Sequence, residues 1–122
     1  MSRAVSRRDA AARRAGVGDG IDEKTFQAAV VELARWHGWL IYATHDSRRS
    51  PAGFPDLVAV HARTGELLFA ELKSARGRVS PEQQEWFAAL DAAARERPGV
   101  HVKIWRPSLW ADVEATLARR RP

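Results

Sequence analysis

Gly53-Phe54-Pro55-Asp56-Leu57-Val58-Ala59-Val60, followed after six residues by Leu67-Leu68-Phe69-Ala70-Glu71-Leu72-Lys73, decides how this chain folds. The apolar runs 57–60 and 67–70 have the length of buried strands. The residues between them include Ala62-Arg63-Thr64-Gly65-Glu66, and a tight turn centred on Thr64-Gly65 predicts an antiparallel hairpin. In the simplest two-residue register Asp56 faces Lys73 and Val58 faces Glu71. Side chains alternate along a strand, so Glu71 and Lys73 then share the face of Asp56 and three charges converge at one end of the hairpin. A one-residue bulge would undo that convergence, because it sends one strand's side chains to the opposite face.

Two carboxylates held close together repel unless a cation lies between them. Hard oxygen ligands of this kind suit Mg²⁺ or Mn²⁺, which keep several waters and complete their coordination with phosphate oxygens. A neighbouring lysine can orient or deprotonate a water and offset charge on a phosphate, which is the chemistry of phosphodiester hydrolysis. The competing reading of Asp56 and Lys73 is a cross-strand ion pair at a sheet end, which contributes little by itself.

At these residues the chain resembles the PD-(D/E)xK nuclease superfamily, and within it the virus-type replication and repair nuclease domain, VRR-NUC. The resemblance runs from Glu23 to Trp110. It takes in Glu23-Lys24-Thr25-Phe26-Gln27, Gly38-Trp39, His45-Asp46-Ser47-Arg48-Arg49-Ser50, Gly53-Phe54-Pro55-Asp56, Glu71-Leu72-Lys73, Ser80-Pro81-Glu82-Gln83 and Trp105-Arg106-Pro107. An acid followed by E-x-K is a weak pattern alone, whereas the ordered set over most of a small chain is specific. The resemblance implies a restriction-endonuclease-like α/β fold with a central mixed sheet flanked by helices. By it Asp56 and Glu71 are metal ligands, the Leu72 carbonyl is a further ligand, and Lys73 is the water-activating base. Glu23 matches an acid on the first helix that points toward the metal, and Gln83 matches a glutamine that supports the site or the phosphate. The implied activity is a Mg²⁺- or Mn²⁺-dependent DNA endonuclease for flaps, forks or junctions, in phage or bacterial replication and repair. A non-catalytic nucleic-acid-binding module that keeps the fold is the alternative, and intact Asp56, Glu71 and Lys73 argue against it.

Two of these positions have ordinary readings of their own. Ser80-Pro81-Glu82-Gln83 is also a helix capping box with proline at the first helical position. Glu23 also suits the positive end of its helix.

The remaining segments read by periodicity. From Asp22 to His37, Phe26, Val30 and Leu33 recur at helical spacing and Gly38 supplies a stop. Residues 39–44 read as a strand, the two motif-bearing strands follow, and Ser80 opens a second helix with Trp86, Phe87 and Leu90 inward, ended by Arg97-Pro98-Gly99. Val100, Val102 and Ile104 alternate as a fourth strand, and Pro107 opens a final helix with Trp110, Val113 and Leu117 inward. The order α-β-β-β-α-β-α thus follows from periodicity as well as from the motifs.

With 122 residues and 45% hydrophobic content the chain can bury one core, taken as residues 21–122 behind a flexible basic arm at 1–20 that carries Arg3, Arg7, Arg8, Arg13 and Arg14. Cysteine is absent, which excludes disulfides and thiolate zinc sites, and no apolar stretch reaches membrane-spanning length, so the chain reads as soluble and cytoplasmic. A net charge of +5 favours a polyanionic partner. Arg48 and Arg49, in the loop leading to the Asp56 turn, are candidate phosphate contacts, with His45 beside them. His37, His61 and His101 lack metal-ligand spacing and read as structural. Arg119-Arg120-Arg121 reads as a solvated helix end. A homodimer is expected, because members of the resembled family commonly pair and a two-fold dimer would present two sites to one branched DNA, with Trp36, Trp39 and Leu109 as interface candidates.

Overall fold

The computed structural model describes residues 16–44 and 52–119. Asp22 caps the first helix, α1 (Glu23–Trp36), by accepting from the Thr25 amide at 2.7 Å, and Phe26, Val30 and Ala34 form its buried stripe. Gly38, at φ +90°, turns the chain from the end of that helix into β1 (Trp39–Ala43). Strands β2 (Leu57–His61) and β3 (Glu66–Leu72) follow, then α2 (Pro81–Ala94), β4 (Val100–Trp105), a single 3₁₀ turn at Pro107–Leu109, and α3 (Trp110–Leu117). The element order is the one expected.

The sheet runs β1-β2-β3-β4, antiparallel across the first two pairs and parallel between β3 and β4, with α2 as the crossover. Leu57, Ala59, Leu68 and Ala70 face the main core beneath α1 and α3, where the Phe26 and Trp110 rings meet edge to face at 6.4 Å. The opposite face carries Asp56 and Glu71 and meets α2.

The hairpin register differs from the expected one by two residues. Leu57 pairs with Ala70 and Val58 with Phe69, so Asp56 continues the ladder opposite Glu71 rather than Lys73. The cause is a four-residue loop, Ala62 to Gly65, instead of a two-residue turn: the Gly65 amide returns to the His61 carbonyl at 2.7 Å, with Gly65 at φ +74°. His61 stabilises this longer loop, its ring nitrogens meeting the His37 carbonyl at 2.8 Å and the Thr64 amide at 3.4 Å. An even shift preserves side-chain parity, so Asp56, Glu71 and Lys73 remain on one face.

Four further expectations change. Helix α2 stops at Ala94, before the Arg97-Pro98-Gly99 signal, and Glu96 at φ +65° follows that stop. Val17, within the stretch assigned to the arm, is buried in the core, so packing begins before residue 21. Trp39 is buried, its indole N–H bonded to the Leu117 carbonyl at 2.9 Å, which removes it from any interface, while Trp36 and Leu109 stay exposed. Arg119 is not a solvated helix end: it pairs with Glu66 and lies over the Trp39 ring.

Candidate active site

The Gly53-Phe54-Pro55-Asp56 turn is built by close packing against α2. Gly53 sits at φ +88°, and a Cβ there would meet the Glu82 carbonyl atoms at 2.4 Å, so no larger residue fits without displacing the first turn of that helix. Phe54 meets Trp86 edge to face at 5.1 Å, and Pro55 is fully buried. These contacts fix the approach to Asp56. Its carbonyl accepts from the Thr44 amide at 2.9 Å, and its Oδ2 accepts from the Leu72 amide at 3.0 Å, tying the carboxylate to the end of β3.

Glu71 lies beside it with only 1% of its surface exposed. Its Oε1 accepts from Gln83 Nε2 at 3.0 Å and lies 3.7 Å from Lys73 Nζ. Its Oε2 is buried and has no hydrogen-bond partner. Burial first, then a hydrogen bond to Asp56 and the charge of Asp56, push the Glu71 carboxyl up to about 9, against the attraction of Lys73. Burial beside a second acid thus opposes ionisation of this carboxyl as long as no further positive charge is near. Glu23, in the first turn of α1, is also raised, by desolvation above all, with Lys73 opposing and Asp56 adding to the shift. The first helix thus aims an acid at the same place.

Gln83 makes the contacts that both of its readings require. Its amide and side-chain oxygen form the capping box with Ser80, at 3.1 and 2.8 Å, while its side-chain nitrogen reaches Glu71. The cap therefore aligns the donor. Sequence reasoning gave Arg106 no role, although its place in Trp105-Arg106-Pro107 marked it. Its guanidinium donates to the Ser74 carbonyl at 2.8 Å and the Ala75 carbonyl at 3.4 Å, tethering the segment just after Lys73 to the end of β4. His45, Arg48 and Arg49 lie outside the described residues. His37, His61 and His101 all make structural hydrogen bonds away from this site.

Among the described residues no cluster of three or more His, Asp or Glu side chains is positioned to hold a metal unaided. Asp56 and Glu71 still fit a hard divalent cation: one oxygen of Glu71 is held by a donor, the other is buried without one, and burial opposes ionisation unless positive charge arrives. Such a cation would fill its other positions with backbone oxygen, water and phosphate.

The VRR-NUC domain family model matches residues 5–106. A solved structure described as a VRR_NUC domain superposes with a TM-score of 0.53 at 22% identity, covering 76% of this chain and 90% of its own, a likeness of fold. No curated protein matches the chain.

Proposed function

The chain belongs to the VRR-NUC domain family, a nuclease family, and we propose that it is a Mg²⁺- or Mn²⁺-dependent DNA endonuclease selective for branched DNA such as junctions, flaps or forks. The observation that carries this reading is the unpartnered, buried Oε2 of Glu71 beside Asp56, with Oε1 already held by Gln83 and Lys73 next to it. Asp56, Glu71 and the Leu72 carbonyl would hold the cation. When bound, it supplies positive charge to the phosphate oxygens and makes a nearby water more acidic.

The chain's own residues do the rest. Hydrolysis forms one bond from a water oxygen to phosphorus and breaks one P–O ester bond, so the water must lose a proton and the departing oxygen must gain one. Lys73 takes the proton from the attacking water, and as the resulting ammonium it offsets charge on the phosphate; a solvent water protonates the departing oxygen. Gln83 holds the Glu71 carboxylate in one orientation, and Glu23, near Asp56 and Lys73, would add a further acid toward the cation. Arg106 keeps the segment behind Lys73 in place.

Family membership supports DNA as partner, and the net charge of +5 is consistent with it. No described helix is long and apolar enough to cross a membrane. We assign the enzyme to the cytoplasm of a bacterial or phage-infected cell, acting as a homodimer in replication or repair, with Arg48, Arg49 and His45 on phosphates. Labelled junction, flap, fork and blunt duplex DNA, incubated with the protein and Mn²⁺, Mg²⁺ or EDTA, tests the reading. Cleavage of the branched forms only with metal is expected; no cleavage of any DNA with either metal would overturn it. Light scattering on free and junction-bound protein checks the dimer, which a protein mass near 13.6 kDa in both states would refute.

A further inference from the structure

Strand β1 is an edge of the sheet, and its sequence Trp39-Leu40-Ile41-Tyr42-Ala43 holds no charge and no proline. Native edge strands ordinarily carry such a device against pairing with another chain. The other edge does: β4 contains Lys103, paired with Asp112 at 3.2 Å. The bond from the Thr44 amide to the Asp56 carbonyl marks residues 44 and 56 as a hydrogen-bonded pair. By the alternation of an antiparallel ladder, Tyr42 with Val58 and Leu40 with Val60 are bonded pairs too, which leaves the N–H and C=O of Ile41 and Ala43 pointing away from β2. Among the described residues nothing bonds to them.

Along this open edge runs a groove of about 590 Å³ between α1 and β1. Its apolar surface comes from Ala28, Val31, Ile41 and Ala43, the last two turned toward α1 by strand parity. Lys24 and Arg35 stand toward its two ends, three helical turns or about 16 Å apart. Among the described residues no acidic side chain lines the groove and neither cation makes an ion pair.

Backbone donors and acceptors along one side, apolar surface along the floor and a cation toward each end describe a seat for an extended polypeptide. Nucleic acid fits less well, because its phosphates would meet the outward carbonyls of Ile41 and Ala43. A second copy pairing through its own β1 would bring no acid to Lys24 or Arg35. An extended chain advances about 3.3 Å per residue and returns to one face every second residue. Acids six residues apart, about 20 Å, therefore come within reach of both long side chains, with two apolar residues between them on the groove side.

We propose that the groove between α1 and β1 binds an extended segment of a partner protein, added to the sheet beside β1 as a fifth strand, its apolar side chains against Val31 and Ile41 and its flanking acids on Lys24 and Arg35. Asp56 and Glu71 lie on the other face of the sheet, and Thr44, in the groove wall, is bonded to the Asp56 backbone. The partner would thus sit next to the candidate site and leave it open. The proposal does not depend on the nuclease reading.

The test titrates the full chain with a fluorescently labelled heptapeptide that has glutamate at both ends, valine at its third and fifth positions and threonine elsewhere, and with a lysine-ended version of it. Binding of the first alone is expected. Exchange of the Ile41 and Ala43 amides with solvent should slow on binding, whereas the Leu40 and Tyr42 amides, already bonded to β2, should change little. Lys24→Glu and Arg35→Glu should each weaken the glutamate-ended peptide about tenfold, and the two together should admit the lysine-ended one. Thermal melting of each variant checks that the surface substitution leaves the fold intact. No binding up to about 1 mM peptide, equal binding of both peptides, or binding without protection of Ile41 and Ala43 would overturn the proposal. So would protection of those amides by blunt duplex DNA in place of the peptide, or protection in the protein alone that fades on dilution. These outcomes would place nucleic acid or a second copy against β1.

Discussion

Glu66 and Glu71 stand at the two ends of β3, and their surroundings differ in burial, in the charge they face and in the supply of donors. Glu66 accepts from Arg119 Nε at 2.7 Å and also from Nη2, and from His101 Nε2 at 2.7 Å. The Arg119 hydrogen bond above all holds its carboxyl down at about 2 despite partial burial. Glu71 receives one donor on Oε1 and none on Oε2, faces another acid, and is pushed the other way. The Glu66 end ties the C-terminal segment to the sheet; the Glu71 end keeps a buried carboxyl oxygen without a donor, which under the proposed function a cation would meet. A carboxylate whose two oxygens both already accept from arginine has little left to offer a metal.

The largest expected effect lies in activity and should fall on one end alone. Asp56→Ala and Glu71→Ala should each lower Mn²⁺-supported cleavage by more than the roughly 10²–10³-fold that loss of one stabilising group costs. Both proteins should stay folded and bind DNA. Glu66→Ala, measured at a temperature where it is folded, should cleave at close to the original rate. Full activity in Asp56→Ala, or inactivity in folded Glu66→Ala, would break the contrast.

Next in size is the pH dependence of stability without metal, in which the two ends pull in opposite directions. Glu71 binds its proton more tightly folded than unfolded, so its contribution is complete below about 4.5 and is lost as pH rises toward about 9. Glu66 binds its proton less tightly folded, so its contribution is present above about 4.5 and is lost as pH falls toward about 2. Each slope is at most about 1.4 kcal/mol per pH unit. Denaturant unfolding in EDTA should show both declines; Glu71→Gln should flatten the alkaline one only, and saturating Mn²⁺ should reverse it in the original protein. An alkaline decline that survives Glu71→Gln would assign it to another group.

Much of this contrast was legible in the sequence at one end and hidden at the other. Asp56, Glu71 and Lys73 could be placed on one face because strand parity survives an even register shift, although the register itself was missed. The loop length depends on His61 bonding to the His37 carbonyl twenty-four residues away, and no local pattern reports that. Gly53 and Gln83 stood out as motif residues, yet the reason for the glycine, the approach of the Glu82 backbone, needs the folded helix. The Glu66 end was illegible. Its partners, His101 and Arg119, come from β4 and the segment after α3, and a terminal arginine cluster next to a helix ordinarily belongs in water.

Replacing Arg119 tests whether that end only stabilises. Arg119→Ala leaves Glu66 partly buried with His101 and Thr64 as its remaining partners, and removes the cation over Trp39. A loss of about 1–3 kcal/mol is expected, with cleavage by the folded protein unchanged. If unfolding by denaturant shows no such loss, the tether at the Glu66 end contributes less than its geometry indicates.

The smallest effect, and the sharpest test of how the other end works, comes from Gln83, whose two functions can be separated by one atom. Gln83→Ala removes both the capping box and the donor to Glu71, and should cost about 1 kcal/mol of stability as well as about 10–100-fold in cleavage. Gln83→Glu keeps an acceptor for the Ser80 amide, since glutamate serves the capping box as well as glutamine, but replaces the donor with a charge facing Glu71. Its stability should therefore exceed that of Gln83→Ala at acidic pH, where Glu71 is protonated, while its cleavage stays low. A glutamate variant that cleaves like the original would mean that orientation by the cap matters and the bond to Glu71 does not, and the role of Gln83 at the site would reduce to holding the helix.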